Sequence, residues 1–151
     1  MNIADFIDEN AIKIPERKAI VAKVSHGIYE HYTFETLSKR ANQYANYLTD
    51  LGIKKSQKVL LFMPPGLDFP VLVFALFKIG AVPIFMDPGM GKNNLLSSIE
   101  QCKPDVLMAI PLVHLIAKFK KRSFTSITKF IKIGKTFFGG ETSFHKKARA
   151  Y

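Results

Sequence analysis

Apolar positions at spacings of three and four mark the clearest helix in the chain. Phe34, Leu37, Ala41, Tyr44, Ala45, Leu48 and Leu51 fall on one face, Thr33 stands where a capping side chain is needed, and Gly52 closes the run. Upstream, Asn2 can cap a short helix that carries Ile3, Phe6 and Ile7 on one face and ends before Pro15. Two β-rich runs, residues 18–24 and 28–32, flank Ser25-His26-Gly27 and predict a hairpin.

From residue 58 the pattern changes to short apolar runs separated by helical periodicity. Residues 58–63 predict a strand and residues 69–79 a helix, with Pro70 in its first turn and Gly80 as its left-handed stop. Residues 81–86 predict a strand buried on both faces. A helix over 93–102 turns Leu95, Leu96 and Ile99 inward and ends at Pro104. A strand over 105–110, a helix over 112–121 apolar at Leu112, Leu115, Ile116 and Phe119, and a strand over 129–133 complete the order. Such alternation predicts an α/β fold, a parallel doubly wound sheet with flanking helices, preceded by the β-hairpin. The run from Phe69 to Met86 holds a single charge, Lys78, but its eighteen residues sit at the short end of what a bilayer needs, and Gly80 and Pro83 interrupt it. The packed reading is preferred.

Charge changes the picture in one respect. The net charge is +10, and residues 101–151 supply +9 of it, with 11 Lys and Arg against 2 Asp and Glu. That asymmetry admits a basic module contacting nucleic acid or anionic membrane through residues 101–151, although a lysine surplus is more often a solvated face. Lys118, Lys120, Lys121 and Arg122, with Phe119 and Phe124 beside them, resemble a nucleic-acid patch, but Phe119 fits the inward face of its helix, which favours packing over stacking on bases. Cys102 is the lone cysteine, which excludes an internal disulfide and fits a reducing compartment. The acidic start MNIADFIDEN lacks the basic region and apolar core of a signal peptide, so the expected location is the cytoplasm.

Candidate chemistry is sparse. Neither Gly134-Lys135-Thr136 nor Gly91-Lys92-Asn93 is a nucleoside-triphosphate loop, because the required upstream glycine is Lys129 in one case and Met86 in the other. Asp87, Gly89 and Gly91 form a glycine-containing turn at a strand end that could hold an anion at the following helix, though turns recruit Gly and Pro freely for backbone reasons. His26, His31, His114 and His145 show no metal-ligand spacing, and no serine sits in a nucleophile elbow, so no metal site and no catalytic residue is assigned.

Five ordered stretches together resemble the amino-terminal region of the AMP-forming acyl-CoA synthetases, the adenylate-forming superfamily. They are Pro15-Glu16-Arg17-Lys18-Ala19-Ile20, Tyr32-Thr33-Phe34-Glu35-Thr36-Leu37, Leu51-Gly52-Ile53, Lys58-Val59, and the run Phe74 to Pro83 with its Lys78, Gly80-Ala81 and Pro83. Residues 87–91 and 137–142 are similar to the subgroup that handles long-chain fatty acids, including the β-lactone synthetases of olefin biosynthesis. The resemblance implies activation of a fatty acid or hydroxy fatty acid with ATP and Mg²⁺. It also implies that residues 1–151 are a single, incomplete amino-terminal subdomain, inactive alone. The family's Ser/Thr/Gly-rich phosphate loop ending in Pro-Lys and the lysine of its mobile C-terminal domain do not occur in these residues. The expected partners are a fatty acyl substrate for the complete enzyme and its remaining polypeptide, without which apolar surface and a strand edge stay exposed.

Overall fold

The computed structural model describes residues 2–134 and 143–151, so the 137–142 stretch lies outside the described residues. The described residues form two compact units, one of residues 2–55, 64–80 and 147–151 and another of residues 56–63, 81–134 and 143–146.

In the first unit, helix α1 (Asp5–Lys13) leads to strands β1 (Lys18–Ser25) and β2 (Ile28–Thr33), then to helix α2 (Phe34–Asp50), and helix α3 is Asp68–Lys78. The β1–β2 pair is antiparallel, and Gly27 takes φ +71° at the turn. Helix α2 is the centre of the unit, with α1 and α3 packed on it. The Thr33 hydroxyl accepts the Thr36 N–H at 3.2 Å, satisfying one of the helix's free amides. Leu37, Ala41, Tyr44 and Leu48 are buried, as are Val71, Leu72, Ala75 and Leu76 of α3. Burial pushes the Tyr44 phenol strongly up, so the ring stays neutral. Helix α1 departs from expectation. Ile7 is buried, but Ile3 and Phe6 are exposed, and Asn2 accepts from Ala4 N at 3.0 Å while its Nδ2 donates to Phe77 O at 2.6 Å. Asn2 therefore ties α1 to the end of α3 as well as serving its own helix.

The second unit is built on strands β3 (Lys58–Phe62), β4 (Val82–Ile84), β5 (Val106–Ala109) and β6 (Lys129–Lys132), all parallel in the order β4-β3-β5-β6. All four residues of β5 are buried, as a strand flanked by neighbours on both sides should be. Helix α4 (Lys92–Cys102) buries Ile99 and lays Leu95 and Leu96 against a core of Leu60, Leu107, Ala109, Ala117, Phe124 and Ile127. Strand β4 is not buried on both faces. It is a three-residue edge strand with Val82 exposed, and Pro83, which cannot donate to a ladder, is tolerated there for that reason.

Helix α5 (Pro111–Phe119) is turned opposite to the expectation for Phe119. Its buried residues are His114 and Ala117, with Val113 against the core, while Leu112, Leu115, Ile116 and Phe119 are exposed, Phe119 at 77%. A 3₁₀ turn, Lys121–Phe124, follows it, and helix α6 (Ser143–Ala148) comes after the undescribed residues.

Candidate functional site

From β3 the chain moves to β4 at one edge of the sheet, and from β5 to β6 at the other, so it leaves the adjacent carboxyl ends of β3 and β5 in opposite directions. Open parallel sheets bind ligands outside such a point. The backbone here is closely tied, with Ile110 N donating to Phe62 O at 3.0 Å and Ile133 N to Ala109 O at 2.9 Å.

Two histidines hold this carboxyl edge. His114 Nε2 lies 3.1 Å from the carbonyl oxygens of both Ala109 and Ile131, so its N–H is shared between the ends of β5 and β6. Burial lowers the imidazole pKa, the two carbonyls oppose that, and the nearby Lys132 charge adds to the lowering, leaving a net depression. His145, 1% exposed, accepts the Gly134 N–H at its Nε2 at 3.0 Å. Gly134 has φ +78°, and a Cβ placed on it would sit 3.1 Å from Ile110 Cγ2. These residues close the edge by backbone pairing, and their role is to position strand ends. The sequence reading tested the histidines only as metal ligands and missed it. The signal was His114 standing three positions before Ala117 and next to Val113, on the face that packs.

The turn at residues 87–91 brings Asp87 and Gly89 together. Asp87 Oδ1 accepts the Gly89 N–H at 2.8 Å, and Met90 N donates to Asp87 O at 3.2 Å. Gly91 takes φ +85°, ψ 149°, a region essentially restricted to glycine, and its carbonyl accepts Leu95 N in the first turn of α4. The Gly89 amide is thereby taken, and the Asp87 carboxylate would repel a phosphate placed beside it. Among the described residues no group of three His, Cys, Asp or Glu could hold Mg²⁺.

The first unit has a concavity of about 420 Å³ lined by Glu35, Thr36, Lys39, Arg40, Gln43 and Arg149. The Arg40 guanidinium stacks 4.6 Å from the Tyr32 ring centre, and Arg149 lies 3.6 Å from Asp68. No helix among the described residues is long and apolar enough to cross a membrane.

Comparison with known proteins gives a consistent result. The family profile described as "AMP-binding enzyme" matches residues 7–148. The olefin beta-lactone synthetase of Stenotrophomonas maltophilia is 28% identical over 146 residues, covering 95% of this chain and 26% of that protein. Its counterpart from Xanthomonas campestris is 30% identical over 136 residues, 89% of this chain and 24% of that protein. Among solved structures, a long-chain-fatty-acid-CoA ligase from Archaeoglobus fulgidus superposes with TM-score 0.78 at 19% identity, over 97% of this chain and 30% of that one. A Mycobacterium tuberculosis fatty acyl CoA synthetase gives TM-score 0.76 at 22% identity, over 99% and 28%. The chain spans about a quarter of the length of those two curated relatives.

Proposed function

The chain belongs to the AMP-binding enzyme family, and from that premise we propose that it is the amino-terminal subdomain of an ATP-dependent, AMP-forming ligase that activates a fatty acid or hydroxy fatty acid. The observation that carries this reading is the family match over residues 7–148, set beside relatives in which the matched region is only about a quarter of the protein. On this reading residues 1–151 are one scaffold that is inactive alone, and the chemistry resides in the remaining polypeptide. ATP and Mg²⁺ serve the complete enzyme. The lone cysteine, Cys102, supports a reducing, cytoplasmic setting.

Exposed apolar side chains support a partner polypeptide. Val82 lies on one edge strand of the sheet and Phe130 on the other, and both are about half exposed, as are Val21, Ile28 and Tyr29 of the hairpin. Surface of this kind drives association.

The test is ATP-dependent pyrophosphate exchange with a panel of fatty acids. The chain alone is expected to stay at background, and a polypeptide matching the rest of the relatives is expected to restore exchange and reduce binding of a hydrophobic dye. Exchange by the chain alone would overturn the inactive-scaffold reading. A monodisperse chain that unfolds cooperatively, binds no dye and complements nothing would overturn the subdomain reading.

A further inference from the structure

We propose that the outward face of α5, with the basic turn that follows it, docks on an anionic lipid surface. Leu112, Leu115, Ile116 and Phe119 are 50%, 46%, 42% and 77% exposed. Their spacing of three, one and three places them in a single stripe about 10 Å long at the rise of a helix. The opposite face, Val113, His114 and Ala117, is taken up by the core and by the His114 hydrogen bonds, so the helix has no freedom to turn its stripe inward.

The stripe ends in a cluster of cations. Lys118, Lys120, Lys121 and Arg122 are exposed, and none makes an ion pair among the described residues. An open depression of about 430 Å³ lies among them, bordered by Phe119 and Glu100. Glu100 accepts the Ser123 hydroxyl at 2.7 Å. An apolar face beside lysines is the arrangement that seats a helix at a membrane interface, with leucines at the acyl boundary and ammonium groups among lipid phosphates.

Charge decides against the other occupants. A second copy laid antiparallel on the stripe would bring this cation cluster over the first turn of α5, which carries no acidic residue. Nucleic acid would match the cations, but Leu112, Leu115 and Ile116 have no ring to stack on bases. Burial against the rest of an enzyme would strip water from four unpaired cations.

This inference does not rest on the adenylation reading, because vesicle binding is measured without substrate or ATP. The full chain is co-sedimented with vesicles of phosphatidylcholine alone and with vesicles in which about a third of the lipid is phosphatidylglycerol. Binding is expected only to the anionic vesicles, weakening between about 50 and 200 mM salt as screening rises. Two double variants, Leu115→Gln with Phe119→Gln and Lys120→Gln with Lys121→Gln, should each lose roughly tenfold in vesicle affinity. Leu112→Gln with Ile116→Gln repeats the stripe test should the first stripe pair misfold by circular dichroism. Absence of binding to anionic vesicles overturns the proposal. So does binding that ignores both stripe pairs and is displaced by an oligonucleotide, self-association abolished by the stripe pair without vesicle binding, or loss of vesicle binding when the complementary polypeptide is added.

Discussion

The imidazole Nε2 of His114 lies 3.1 Å from the carbonyl oxygen of Ile131, so a side chain from α5 caps the end of the outermost parallel strand. The same N–H reaches Ala109 O, which also receives Ile133 N, and the ends of β5 and β6 are thereby closed around one ring.

His114 should make stability fall in mild acid. Its folded pKa is below the ordinary value of 6.5, chiefly through burial, so below about pH 6.5 the unfolded chain binds a proton that the folded chain refuses. Its contribution is complete above that pH and is lost as pH drops through the folded value. Urea unfolding from pH 8 to 5 should show this slope, and His114→Gln, which keeps a donor without titrating, should flatten it at some cost in stability at pH 8. An unchanged slope in the variant would refute the assignment.

Asp8 should act at lower pH. Burial pushes its carboxyl up, but hydrogen bonds from Lys78 and Ser38 and the Lys78 charge outweigh that and hold it below the ordinary carboxylate range. A depressed acid stabilises the fold above its unfolded pKa and loses that contribution as pH falls through the folded one. The carboxylate side chain is 43% exposed, so solvent screening limits the effect. Asp8→Asn should cost about 1 kcal/mol at pH 7 and progressively less as pH falls below about 4 in the same unfolding assay.

Gly134 and Gly27 separate conformational strain from steric crowding. Both have positive φ, +78° and +71°, but a Cβ meets Ile110 Cγ2 at 3.1 Å on Gly134 and nothing within 4 Å on Gly27. Each change to alanine should cost about 1 kcal/mol for the backbone conformation. Gly134→Ala should cost more by the additional contact, read as a lower urea midpoint, and equal midpoints would show that Ile110 yields freely.

The turn at 87–91 should respond to mutation through stability alone. Asp87 occupies the Gly89 amide, so Gly91→Ala should lower the melting temperature of the chain without altering its response to ATP. Thermal shifts with and without ATP, measured in parent and variant, check this. A shift present in the parent and absent in Gly91→Ala would make the turn a ligand contact.

Periodicity and punctuation determined the local elements. Thr33 and Gly52 bracket α2, His26-Gly27 turns the hairpin, and Gly80 ends α3 with φ +70°, because caps and left-handed glycines act within a few residues of the chain. The alternation of short apolar runs with helical ones likewise implied a parallel sheet, since consecutive parallel strands need a crossover between them. The family resemblance was equally legible, carried by ordered motifs such as Lys78, Gly80-Ala81 and Pro83.

Tertiary structure alone decided which apolar surface is buried and which single polar groups matter. Helix α5 reads PLVHLIAKF, apolar nearly all round, so two faces compete and periodicity cannot rank them. Val113, His114 and Ala117 win because the small alanine permits close approach to the core and His114 reaches two strand carbonyls, which leaves Phe119 outside. Strand order worked the same way: Ala81 to Met86 looks like a central strand by hydrophobicity, but its place at the edge follows from pairing with β3 alone. His145 and Gly134 meet across eleven positions of sequence, and no local pattern announces a hydrogen bond that depends on where two segments are brought by the fold.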